Sequence, residues 1–301
     1  GGAGGGGLKS RASRLSSNWA LVTTMRGAGG AAFLLALLGS AVLVVVTRGD
    51  EGDEDEIEQD ALTREQMRGL HGVMDKSGDG KVSMSEIMSF SDHMRREIAS
   101  KDIGTVLEEM DGDKDGKLSL AELIKDMEQW GDAGEEETAD KKARLEAETA
   151  KFKVADSDGD GVLDTKELPA LFYPETHDGV LELTTQGSLK TKDRDGDGKL
   201  TMKEFWEGDA VDGEDLAVSD EEKGDFAKLD KNGDGFLDLQ ELKAWESGKF
   251  HTEEAMRKLF ELADKDSDMH VTADELDAAK EQIAGTDAQY HLMEWAEHHE
   301  L

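Results

Sequence analysis

Residues 226–245 read FAKLDKNGDGFLDLQELKAW, and the twelve from Asp230 to Glu241 decide the fold. Within them Asp230, Asn232, Asp234 and Asp238 stand at positions 1, 3, 5 and 9, with Gly235 at 6, Phe236 at 7 and Glu241 at 12. Short oxygen-bearing side chains on alternate residues of a curled loop can all point inward. A backbone carbonyl at position 7 and a glutamate reaching back from the following helix complete a cage of oxygens. Gly at position 6 takes a turn that a Cβ would hinder. Such a cage suits a hard cation that takes six to eight oxygens at long, adaptable distances; zinc would ask for Cys or paired His.

The same pattern recurs five more times. The first loop carries Asp75, Ser77, Asp79, Gly80, Lys81, Ser83 and Glu86 at positions 1, 3, 5, 6, 7, 9 and 12. The second carries Asp111, Asp113, Asp115, Gly116, Lys117, Ser119 and Glu122, and the third Asp156, Asp158, Asp160, Gly161, Val162, Asp164 and Glu167. The fourth has Asp193, Asp195, Asp197, Gly198, Lys199, Thr201 and Glu204. Counting Asp230–Glu241 as the fifth, the sixth is Asp264, Asp266, Asp268, Met269, His270, Thr272 and Glu275. At position 7 only the carbonyl is expected to contribute.

One such cluster could be a solvated acidic turn. Six copies, each with Glu at 12 and an apolar residue at 8 (Val82, Leu118, Leu163, Leu200, Leu237, Val271), are a repeat of the EF-hand type with calcium as its ion. The residue after each final glutamate is apolar too: Ile87, Leu123, Leu168, Phe205, Leu242 and Leu276. Leu107, Phe152, Leu189, Phe226 and Phe260 stand four residues before five of the loops, at the spacing of a buried helix face. Thr63 and Gln66 have capping-box spacing at the start of the first helix. The expected fold is all-α, six helix-loop-helix hands in three tandem pairs with two-residue β pairing between loops.

The loops should not bind equally. Acidic ligands number three in the first loop, five in the third and four in each of the others. Loops two, four and five are therefore expected to be strongest. The first is short of charge, the third carries an excess of repulsion, and Met269 strains the sixth.

Acids outnumber bases 70 to 35, giving a net charge of −35, which repels nucleic acid and opposes compaction until cations arrive. There is no cysteine, so disulfides and thiolate metal sites are excluded. Residues 1–24 read as a low-complexity leader upstream of a translation start at Met25. Residues 25–49, with Arg26 before the apolar run AAFLLALLGSAVLVVV (31–46), read as a signal peptide, with an uncleaved signal anchor as the alternative. Residues 50–62 are an acidic linker. The chain closes His298-His299-Glu300-Leu301, akin to a luminal retrieval tetrapeptide with His299 in place of Asp. Consecutive pairing sets the expected units at 63–131, 132–213 and 214–301, with linker-like stretches at 131–149 and 208–214 as boundaries. Trp130, Trp206 and Trp245 are expected to pack near helix ends.

Beyond the loops the chain resembles the reticulocalbin–calumenin family. Leu171-Phe172-Tyr173-Pro174-Glu175 is similar to the segment these proteins carry after their third hand, residues 226–245 resemble their fifth hand, and 284–301 their C-terminal stretch. His299 and Met269 depart from the family pattern. The resemblance implies low-affinity calcium binding in the lumen of the endoplasmic reticulum and secretory pathway, as a buffer and as a calcium-dependent or chaperone-like partner of other proteins. The alternative is a calmodulin-like sensor that opens an apolar groove, for which Met67, Met74, Met84, Met88, Met94 and Met110 are available. Membrane contact is expected only through an uncleaved N-terminal segment. No nucleophile–base set, phosphate loop or cofactor motif points to an enzyme. His71, His93, His177, His251, His270, His291, His298 and His299 share no ligand spacing and are expected at the surface or on helices.

Overall fold

The computed structural model describes residues 62–130, 139–207 and 218–299. The leader, the apolar run at 31–46, nearly all of the acidic linker and the last two residues lie outside them. None of the described helices is long and apolar enough to cross a membrane.

Hand 1 consists of α1 (Arg64–Met74), β1 (Lys81–Ser83) and α2 (Met84–Met110). Helix α2 also leads into hand 2, which continues through β2 (Leu118–Ser119) and α3 (Leu120–Trp130). Hand 3 is α4 (Ala139–Ala155), β3 (Val162–Leu163) and the short α5 (Leu168–Phe172), followed by a 3-10 turn at Pro174–Thr176. Hand 4 is α6 (Asp178–Lys192), β4 (Leu200–Thr201) and α7 (Met202–Glu207), and hand 5 is α8 (Asp220–Leu229), β5 (Phe236–Leu237) and α9 (Leu239–Glu246). Hand 6 is α10 (Lys249–Ala263), β6 (His270–Thr272) and α11 (Ala273–Ala278), with α12 (Lys280–Ile283) and α13 (Asp287–His298) after it.

Local chemistry explains where these helices begin. Thr63 and Gln66 form the expected capping box, and Ser83–Glu86, Ser219–Glu222, Asp238–Glu241 and Thr272–Glu275 form others. Each N-cap side chain accepts from a first-turn N–H that the helix leaves unpaired, while the acid or amide three residues on accepts from the cap's own N–H.

The pairing of hands differs from the consecutive arrangement expected. The ladders join β1 to β6, β2 to β3 and β4 to β5, all antiparallel. Hand 1 therefore pairs with hand 6, hand 2 with hand 3 and hand 4 with hand 5. The position-8 residues face one another as Val82–Val271, Leu118–Leu163 and Leu200–Leu237, each at most 2% exposed. The core falls into three clusters, each centred on one pair, with Val180 of hand 4 joining the cluster of hands 2 and 3 and Phe250 of hand 6 that of hands 4 and 5. The units 63–131, 132–213 and 214–301 are thus not the packing units.

Helix α2 supplies the physical reason. It runs 27 residues without a break, a rod of about 40 Å that holds loops 1 and 2 at opposite ends. Hands 5 and 6 are likewise separated by a rigid corner, Ser247 and Gly248, the latter at φ 69°. The linker-like stretches fall inside pairs: 131–138 joins hands 2 and 3, and 208–217 joins hands 4 and 5.

The 1–6 pair holds the largest core. Met67, Leu70, Met74, Val82, Ile87, Phe90 and Met94 of hand 1 meet Met256, Leu259, Val271, Leu276, Leu292 and Trp295 from the C-terminal third. Phe90 and Trp295 meet edge to face at 5.5 Å. His71 occupies the place that Leu or Phe takes four residues before the other loops. It is buried, not at the surface, and its Nε2 lies 3.0 Å from the Val271 carbonyl of hand 6. Trp206 and Trp245 pack edge to face at 5.4 Å in the 4–5 core, as expected of them.

The pairs also touch through apolar side chains, Val180 of α6 packing in the cluster of hands 2 and 3 and Phe250 of α10 in that of hands 4 and 5, and polar bonds tie the helices further. Tyr173 Oη donates to Asp102 Oδ2 at 3.1 Å, joining the turn after hand 3 to α2. Arg95 on α2 donates to Thr252 Oγ1 on α10 at 2.7 Å. Gly179 lets α6 approach α4, because a Cβ there would sit 2.8 Å from Val154 Cγ1.

Candidate metal centres

All six loops take up the same backbone path, and the carboxylates hold it. The position-1 aspartate accepts the position-6 amide on Oδ2 in every loop, at 2.8 to 3.0 Å for Asp75, Asp111, Asp156, Asp193, Asp230 and Asp264. In the first five loops it also accepts the position-4 amide on Oδ1, at 2.6 to 2.8 Å. The position-12 glutamate closes the loop from the far side. Its Oε2 accepts the position-9 amide, at 2.9 to 3.2 Å in all six, while Oε1 reaches amides near position 3. These bonds pull Glu86 down to about 2, the backbone N–H and hydroxyl of Ser83 being the main causes.

The carboxylates crowd. Ligand atoms of Asp111, Asp113 and Glu122 lie within 4.8 Å of one another, as do those of Asp156, Asp158 and Glu167, of Asp193, Asp195 and Asp197, and of Asp264, Asp266 and Glu275. Loops 1 and 5 place Ser77 and Asn232 at position 3, which reduces their charge. Asp113 and Asp195 gain from the N–H of Asp115 and Asp197 respectively. Even so, partial desolvation and the neighbouring carboxylates leave both raised above the usual aspartate range. An all-oxygen donor set with uncompensated like charge fits calcium.

Two signals in the sequence went unused. Position 4 also requires the left-handed region: Gly78, Gly159, Gly196 and Gly233 lie at φ 71° to 76°, and Lys114 and Ser267 are held there at 62° and 60°. In loops 1, 5 and 6 the position-9 residue is the N-cap of the outgoing helix as well as a candidate ligand, so positions 9 and 12 spell a capping box, whereas in loop 3 the N-cap is Glu167 itself. Ser83, Ser119, Thr201 and Thr272 donate their hydroxyls to Oε2 of Glu86, Glu122, Glu204 and Glu275, each at 2.8 Å. The S/T-x-x-E spacing could have revealed this.

Met269 adopts φ 63° at the position where the other loops have Gly at 82° to 88°, and its side chain is 77% exposed. A left-handed non-Gly residue costs roughly 1–2 kcal/mol, and nothing packs on the side chain to offset it. M269G is expected to stabilise the calcium-saturated protein by about 1 kcal/mol after the entropy cost of the added glycine. Thermal unfolding in excess calcium measures this, and an unchanged or lower midpoint refutes it.

Family models match all six loops: an EF-hand model at 72–91, 103–127, 149–172 and 192–208, and an EF-hand domain pair at 223–279. Among curated proteins the chain is similar to reticulocalbin-3 of Homo sapiens, 30% identical over 137 residues that make up 41% of each chain. It is also similar to reticulocalbin-3 of Rattus norvegicus, 27% identical over 146 residues, 44% of each. Its loops are EF-hands, and the chain is similar to reticulocalbins. The matches span less than half the length of those relatives. A homolog of programmed cell death 6 protein from Leishmania major Friedlin aligns with 18% identity and a TM-score of 0.22, covering 62% of this chain and 97% of that one. A Streptomyces coelicolor calcium-binding protein gives 17% and 0.23, covering 62% and 98%. Scores this low carry nothing about arrangement. The pair model spans hands 5 and 6, neighbours in sequence that the ladders assign to different pairs. This EF-hand protein binds calcium.

Proposed function

We propose that the protein is a low-affinity calcium buffer and calcium-dependent partner of other proteins in the lumen of the endoplasmic reticulum and secretory pathway. Its ligands are the side chains at positions 1, 3, 5, 9 and 12 of the six loops together with the position-7 carbonyls. The observation that carries this reading is the repetition of one oxygen-lined loop six times in a chain of net charge −35. Capacity over affinity is what a calcium-rich compartment uses, where sites lie in the range of roughly 10⁻⁴–10⁻³ M. The similarity to reticulocalbins and the apolar run at 31–46 support the luminal setting. The role is one of binding rather than catalysis.

The sensor alternative needs an apolar groove that calcium can open to a target helix. Met67, Met74 and Met94, three of the methionines that suggested it, are each 2% exposed and are covered by hand 6 and α13. That burial favours the buffer. Calorimetric titration of calcium into the full chain, with its localisation in cells, tests the reading. Several sites weaker than about 10⁻⁴ M on a luminal protein are expected; micromolar sites on a cytosolic one would sink it.

A further inference from the structure

Each pair of hands carries a contact that its β ladder does not require. Lys81, position 7 of loop 1, pairs through Nζ with Oδ2 of Asp268, position 5 of loop 6. Lys117 of loop 2 reaches Oδ2 of Asp160 in loop 3 at 2.7 Å, and Lys199 of loop 4 reaches Oδ2 of Asp234 in loop 5 at 2.6 Å. Three separate pairs thus repeat one bridge, always from position 7 to position 5 of the opposite loop. The exchange runs one way, because position 7 of loops 3, 5 and 6 holds Val162, Phe236 and His270. In each receiving aspartate Oδ1 accepts its own loop's position-7 amide, at 3.0 Å for Asp160 and Asp234 and 2.9 Å for Asp268. The ammonium therefore sits on the second oxygen of a candidate calcium ligand.

We propose that Lys81, Lys117 and Lys199 are built-in counter-cations that weaken calcium binding in the opposite loops 6, 3 and 5. Within every pair the lysine-bearing loop then fills before the lysine-receiving one. The inference rests on the ligand assignment above and adds an order of filling to it. A calcium ion held by the same carboxylate would lie about 2.4 Å from its oxygen, leaving the two cations about 5–6 Å apart. Coulomb repulsion between charges of +1 and +2 at that separation in water weakens binding by about tenfold, and salt screening reduces this toward threefold. The order differs from one based on carboxylate count alone. Loop 5 becomes a late-filling site, and loop 3, with five acids, is the one whose excess charge the lysine partly cancels.

The test is calcium titration of the ¹⁵N-labelled full chain, following the position-6 amides of Gly116 and Gly161, which report loops 2 and 3 separately. Lys117 is 40% exposed, so K117M should leave the fold intact, which circular dichroism verifies. K117M is expected to move the Gly161 midpoint to three- to tenfold lower calcium and leave Gly116 in place. K117R is expected to restore the native Gly161 midpoint. Equal shifts at both glycines, no shift at Gly161, or a K117R response matching that of K117M would each overturn the proposal. If the native chain's Gly161 amide does not respond to calcium at all, the ligand assignment itself fails, a distinguishable result.

Discussion

A chain ending at Ser247 is expected to lose hand 1 as well as hand 6. Removing 248–301 takes Met256, Leu259, Val271, Leu276, Leu292 and Trp295 away from Met67, Leu70, Met74, Val82 and Phe90. Each buried side chain of this size contributes about 1.5–3 kcal/mol, so six of them are comparable with the whole stability of an ordinary domain. Amide exchange in calcium should therefore show α1 and β1 unprotected while Leu118–Leu123, Leu163–Leu171, Leu200–Trp206 and Phe226–Leu242 keep their protection. Adding residues 248–301 as a separate peptide should restore α1. Consecutive pairing predicts the opposite, with α1 protected in the truncated chain, so retained protection there would refute the 1–6 pair. His71 offers a milder probe of the same interface, since its Nε2 bond to the Val271 carbonyl spans 200 residues of chain.

Calcium removal is expected to expand the protein and unfold it in part. Seventy acids against 35 bases leave strong self-repulsion, and the loops concentrate it, with carboxylate oxygens within 4.8 Å of one another in four of them. Binding to the native state alone adds stability that chelation withdraws. Loss of packing without complete unfolding raises the radius by roughly 10–20%, and fuller unfolding raises it more. Small-angle scattering and far-ultraviolet circular dichroism, with and without chelator at low ionic strength, should show that increase with a loss of helix. Added salt should reverse part of it by screening. An unchanged radius and spectrum would sink the prediction.

Much of the site can be read from residues alone. Alternating Asp at 1, 3 and 5, Gly at 6 and Glu at 12 dictate a loop whose amides turn toward Asp75 or Asp111, and those bonds are present in the fold. Less visible is the double use of Ser83 or Thr272 as cap and candidate ligand, because inside a twelve-residue loop the position-9 oxygen and the position-12 glutamate already have a role as ligands. The lysine bridges could not be read at all: Lys117 and Asp160 are 43 residues apart and meet only because β2 pairs with β3.

The sequence by itself determined that there are six hands, where each loop lies, which residues are its candidate ligands and which apolar residues pack between loops. Those properties are local, set by turn geometry, capping and the chemistry of short carboxylates. Only the tertiary structure decided which hand pairs with which. Val82, Leu118, Leu163, Leu200, Leu237 and Val271 are nearly interchangeable at position 8, so no loop carries a label for its partner. The choice falls to the connections. An unbroken 27-residue helix keeps loops 1 and 2 apart, hand 2 pairs with hand 3 and hand 4 with hand 5, and the two hands left over close on each other.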